Sequence, residues 1–149
     1  MHDCPACSRS ADATAALAAR GERVTALRSR VLAALHHAEK PLGAYEIFGR
    51  LKAEGAASAP PAVYRVLEFL EAQGLVHKLQ SLSAYRACTA PAHPHHALFR
   101  ICRLCGEVSE AESPALGQIA TEAEADGFRV EHMVVETLGL CGHCAEAPA

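Results

Sequence analysis

Two pairs of cysteines carry the most specific chemistry in this sequence. Cys102 and Cys105 stand two residues apart in ICRLCG, and Cys141 and Cys144 repeat the spacing in LCGHC after 35 intervening residues. Thiolates at CxxC spacing suit tetrahedral zinc, because the two-residue spacer lets one turn aim both sulfurs at one ion. The interval exceeds the roughly 15–20 residues of a compact zinc ribbon, which leaves room for a helix and strands between the two knuckles. Seven cysteines is an odd count and fits a full disulfide set poorly. Four thiolates leave no open coordination position, so this zinc is expected to be scaffold rather than catalyst. The competing reading is a thiol redox switch, since zinc-bound thiolates can be oxidised. A third pair, Cys4-Pro-Ala-Cys7, can bind metal with His2 but has no fourth partner in sequence.

A second chemistry is spread along the chain. Residues 1–87 hold 11 Lys and Arg against 8 Asp and Glu, while residues 88–149 hold 3 against 9. The overall charge of −3 therefore hides a first half suited to phosphates and an acidic, Cys- and His-rich second half suited to cations.

These groups must be positioned by packed elements, and half of the residues are hydrophobic, enough for a core. The first residues read as a flexible tail over 1–12, with Ala-rich ADATAALAARG forming a helix that ends at Gly21. Thr25 can cap the next helix, whose Leu27, Val31 and Leu35 make one buried stripe and which Pro41 stops. AYEIFGRLKAEG is a helix with Ile47, Phe48 and Leu51 inward. SAPPAVYRVLEFLEAQG is another, entered through Pro60 and Pro61 and packed through Val63, Val66, Leu67 and Leu70. LVHKLQSLSAYRAC reads as two short strands around a turn near Ser81–Ser83. Three helices followed at once by a hairpin make a winged helix-turn-helix over 13–88; the alternative is a generic helical bundle with a hairpin attached. The Pro- and His-rich stretch 89–97 reads as a hinge. Beyond it LFRIC is strand-like, SPALGQIATEAEADG is a helix capped at Ser113, and FRVEHMVVETLGL offers strand material. The expected class is α+β, with a small second domain over 98–147.

Within a helix-turn-helix, residues near the N-terminus of the second helix reach base edges. Tyr64 and Arg65 occupy that position off the apolar stripe; Arg can bond a guanine edge bidentately and Tyr can touch phosphate or a thymine methyl.

PPAVYRVLEFLEAQGLVHK, a hairpin, a His-rich hinge, ICRLCGEV and GLCGHC, in that order, resemble the Fur family of metal-dependent bacterial repressors, and within it the zinc uptake regulators. The resemblance covers about residues 15–146. It implies a homodimer on a double-stranded DNA operator, with N-terminal winged helices and C-terminal dimerisation domains, in which regulatory zinc favours repression of zinc uptake genes. It also implies DNA contacts at Tyr64 and Arg65, at Tyr45 in GAYEIF and at Arg28, although Ala26-Leu27 replaces the Pro-Gln the family often has before that arginine. It implies a regulatory zinc set in which His77 and Cys88, on the two wing strands, are joined by His95 of the hinge and Glu110. Two nitrogens, one sulfur and one oxygen make a tetrahedral zinc set, and the soft thiolate favours zinc over iron. Each chain is thus expected to hold one structural and one regulatory Zn2+. A zinc bridging the two domains would select the DNA-competent geometry of a dimer. His93 and His96 compete with His95, and Glu107 and Glu112 with Glu110. His132 is either a further ligand or an ordinary partly buried histidine.

Other function classes find less support. No HExxH, deaminase or nucleophile-elbow motif points to an enzyme, and no small-molecule substrate is expected. The start MHDCPACSRS has no apolar signal region, and no run reaches the roughly 18 residues of a membrane span, so a cytoplasmic protein without a membrane partner is expected. The alternatives are a family regulator that answers iron, nickel or peroxide, and a zinc-clamped protein-interaction module.

Overall fold

The computed structural model describes residues 5–91 and 96–146. The chain divides into two compact units after Pro94. It is an α+β protein, and among the described residues no helix is long and apolar enough to cross a membrane.

The first unit is built on four helices. α1 (Pro5–Ala19) begins inside the stretch expected as a loose tail. Proline is well suited to the first helical turn, where its missing N–H is not needed, and the alanines that follow continue the helix. α2 (Ala26–His36) starts where Thr25 accepts a hydrogen bond from the Arg28 amide. The helix ends at His36, five residues before Pro41, with His37 as its capping residue. α3 (Ala44–Ala53) and α4 (Pro60–Ala72) follow, with prolines in the first turn of α4. Val31, Leu32, Leu35, Ile47, Leu51, Val63, Leu67 and Leu70 form the core that locks α2, α3 and α4 together, and Leu17 of α1 joins it. Leu67 has no exposed surface. Leu67→Ala should lower stability by about 2–5 kcal/mol, read as a shifted denaturation midpoint; a shift below about 1 kcal/mol would mean that α4 is not held by this core.

Gly74, with φ of +68°, turns the chain out of α4 into a hairpin. β1 (Val76–Leu79) pairs antiparallel with β2 (Ala84–Ala87), setting His77 opposite Arg86. A short 3₁₀ turn at Gln80–Leu82 and a left-handed Ser83 close it. Leu42, between α2 and α3, exchanges two backbone hydrogen bonds with Tyr85, of 3.0 and 2.8 Å. That bridge ties the hairpin to the helices as a wing.

The second unit is a three-stranded sheet with one long helix. β3 (Ala97–Cys102) lies between β4 (Val108–Ala111), antiparallel, and β5 (Val134–Gly139), parallel. A parallel neighbour requires a long crossover, and α5 (Pro114–Ala125) lies in it. Ser113 stands at the cap position of α5, but its side chain makes no capping bond. The core here is small: Phe99, Ile101, Val108 and Leu116 are its large buried members. A short helix, α6 (Gly142–Glu146), ends the described chain. Strand β5 takes up only the second half of the apolar run that begins at Phe128, which is itself exposed.

Candidate metal centre and nucleic-acid interface

The parallel pairing of β3 with β5 decides where the four cysteines go. It sets Cys102 opposite Gly139, so both CxxC knuckles leave the same end of the sheet. After Cys102 the chain turns tightly, the Gly106 amide bonding back to the Cys102 carbonyl at 3.0 Å, and the Arg103 amide reaches across to Gly139 at 2.9 Å. Gly106 has φ of +75°, which favours glycine at that turn. Cys141 follows β5, and Cys144 lies on α6, whose Ala145 amide bonds to the Cys141 carbonyl.

The four sulfurs lie within 4.8 Å of one another. Cys105 and Cys141 are 3.8 Å apart. A disulfide would need about 2.05 Å, whereas the edge of a tetrahedron with Zn–S bonds of about 2.3 Å is about 3.8 Å. The donor set and its spacing therefore fit zinc. The thiol chemistry fits as well. Backbone N–H groups of Cys105 and Cys141 point at the Cys102 sulfur and pull its thiol down to about 6. Cys144, hydrogen-bonded to Cys141 and crowded by the other sulfurs, is pushed up to about 12. Four neighbouring thiolates are thus sustained only by a cation, which deprotonates the thiols that ligate it.

In the first unit, the wing brings two further donors together. Cys88 is two positions beyond Arg86, the cross-strand partner of His77, so both side chains fall on one face of the hairpin. A ring nitrogen of His77 and the Cys88 sulfur lie within 4.8 Å, and both residues are buried. The Cys88 sulfur accepts the Ala90 amide at 3.4 Å, and the Cys88 amide bonds to the Leu75 carbonyl at 2.9 Å. Imidazole nitrogen and thiolate sulfur are both zinc donors. Glu110 lies half-buried on β4 opposite Phe99. His95 and His93 lie outside the described residues, as does Cys4. His132 is exposed rather than partly buried.

The helix-turn-helix surface presents Tyr64, 41% exposed, and Arg65, also exposed, on the first turns of α4, a stretch without an acidic residue. Tyr45, 69% exposed, stands at the start of α3 with its ring edge-on to Phe48. Arg28 behaves differently. Its guanidinium stacks on the Phe69 ring at 3.4 Å and donates to the Arg23 carbonyl, so it packs α2 against α4. This partnership spans 41 residues of sequence and no local pattern announces it.

Known proteins resemble this chain along most of its length. Residues 19–138 match the model of the ferric uptake regulator family. The zinc uptake regulation protein of Escherichia coli (strain K12) is 37% identical over 135 residues, 89% of this chain and 78% of that protein. A solved structure of a zinc uptake regulator complexed with zinc and DNA is 34% identical, covers 97% of both chains and superposes with a TM-score of 0.86. The crystal structure of holo XcZur is 39% identical, covers 94% of this chain and 99% of that one, and gives a TM-score of 0.83.

Proposed function

The chain belongs to the ferric uptake regulator family, and from that premise we propose that it is a zinc-responsive, DNA-binding transcriptional regulator that represses zinc uptake genes. Four thiolates, from Cys102, Cys105, Cys141 and Cys144, hold a structural zinc. Tyr64, Arg65 and Tyr45 meet operator DNA, while Arg28 serves that surface mainly by fixing α2 to α4. The regulatory zinc is held by His77 and Cys88 with His95 and Glu110, and it selects the DNA-competent state because it binds that state more tightly. The observation that carries the reading is the buried imidazole–thiol pair on the hairpin that follows α4. A thiolate in the donor set favours zinc over iron.

The protein acts as a homodimer on double-stranded operator DNA, in the cytoplasm. Support for self-association lies in the second unit, where β5 is an edge strand carrying Leu138, 61% exposed, with Phe128, 66% exposed, shortly before it. Exposed apolar groups beside an open strand edge are surfaces that proteins cover.

The test is fluorescence anisotropy on promoter fragments of zinc-importer genes across buffered free zinc, with the four-cysteine site kept loaded. Affinity should rise at least about tenfold with zinc. Cys88→Ser should flatten that rise without changing zinc at the four-cysteine site. Affinity that is flat in zinc would sink the zinc reading and leave iron or peroxide as the signal to try.

A further inference from the structure

The turn after α1 grips the end of α4 at two points. The Arg20 guanidinium donates through Nη1 to the carbonyl of Gln73, the residue that caps α4. Through Nη2 it donates to the carbonyl of Pro91 at 2.8 Å. Glu22, two residues on, accepts the Gln73 side-chain amide at 3.4 Å. The turn is itself well anchored. Arg20 and Gly21 close α1 through bonds to Leu17 and Ala18, Glu22 bonds to the Leu17 carbonyl, and Leu17 is wholly buried. A cation at this place also faces the negative end of the α4 dipole.

What Arg20 joins gives it meaning. Pro91 ends the segment that starts at Cys88, and the Cys88 amide bonds to the carbonyl of Leu75, just past α4, whose own amide bonds back to the Leu70 carbonyl within that helix at 2.9 Å. Within the segment, the Ala90 amide bonds to the Cys88 sulfur. Residues 88–91 are thus tied to the C-terminal end of α4 at both ends, through Leu75 at Cys88 and through the Arg20 bridge at Pro91. A change at the Cys88 sulfur reaches α4 through two attachments, and two fix an orientation where one leaves a pivot.

We infer that Arg20 is a positioning residue that couples the Cys88 segment to the DNA-reading helix, so that order imposed on residues 88–91 by zinc is passed to α4. This rests on the zinc-responsive reading above. Arg20 acts through its bonds to Gln73 and Pro91. A planar guanidinium can bridge two carbonyls, whereas an ammonium is a point charge on a flexible stem. Lysine would therefore keep the favourable charge at the helix end and lose the bridge.

The experiment compares native protein, Arg20→Gln and Arg20→Lys, each with the four-cysteine site loaded. Affinity for a fluorescein-labelled duplex spanning a zinc-importer promoter is measured at saturating and at depleted free zinc. Both variants should fold with native melting behaviour and shrink the zinc-dependent gain in affinity by about five- to tenfold. Hydrogen exchange should show the amides of Gln73 and Leu75 slowed by zinc in the native protein and not in either variant. A purely structural role would lower both affinities by one factor and leave their ratio unchanged, and that result overturns the inference. Full rescue by Arg20→Lys also overturns it, since charge alone would then suffice. A native protein whose affinity is flat in zinc sinks the regulatory reading and the coupling role together. A native zinc window that both variants retain sinks the Arg20 assignment alone.

Discussion

Replacing Cys105 with serine is expected to remove one zinc ion per chain and to lower the melting temperature of the second unit by at least about 10 °C. Cys105 is exposed, so its truncation opens no cavity and loses little packing. Any large effect must come from the metal. The second unit has little else to rely on, because its large buried apolar side chains are few, and domains this small commonly need a metal, a disulfide or a partner chain. The four sulfurs join the ends of β3 and β5 to α6, so weakening the site frees the edge of the sheet as well as the knuckle. Zinc content by metal analysis and melting by circular dichroism are the readouts. Leu104→Ala, at an exposed neighbour in the same knuckle, should leave both unchanged. Full zinc content with unaltered melting in the serine variant would show that Cys105 is not a ligand that the fold needs.

The parts of this structure that were legible in the sequence are those whose signals are local. The stripe Val63, Val66, Leu67 and Leu70 fixes both the existence and the buried face of α4, and Pro60 and Gly74 mark its ends. Thr25 announces α2 because a capping hydroxyl acts within its own turn. The two CxxC pairs are legible because their spacing is itself the geometry of a knuckle. His77 and Cys88 can be matched because strand alternation carries both to one face once the hairpin is drawn.

What escaped is set by tertiary partners or by shortness. Strand β4 is four residues long with only Val108 fully buried, so alternation has no length in which to show itself. Helix α6 is five residues long and gains its order from the knuckle around it. Helix α1 starts earlier than the composition of its neighbours implied, because a proline there is compatible with a first turn as well as with a loose tail. The roles of Arg28 and Arg20 depend on a ring at Phe69 and on carbonyls at Gln73 and Pro91. A carbonyl acceptor leaves no mark on residue type, so no reading of side chains finds it.

Arg65→Glu should weaken operator binding by at least about 100-fold while zinc content, dimerisation and melting stay native. Arg65 is exposed on the first turn and a half of α4, where recognition helices meet base edges. A bidentate arginine–guanine contact is worth about 1–3 kcal/mol, and a carboxylate in its place adds repulsion from the phosphates nearby. A 100-fold loss corresponds to about 2.8 kcal/mol, which the two effects together reach. Structural causes are set aside by the position itself, since the apolar face of α4 is formed by Val63, Val66, Leu67 and Leu70. Arg65→Lys separates the contributions. If Arg65 reads a base, lysine should lose specificity for the operator over unrelated duplex; if it only neutralises phosphate, lysine should be nearly native at both. Charge reversal should also lower the steepness of the salt dependence by about one counterion. Native operator affinity in Arg65→Glu would mean that α4 does not read DNA in this protein, and a protein-facing role for the winged unit would become the reading to test.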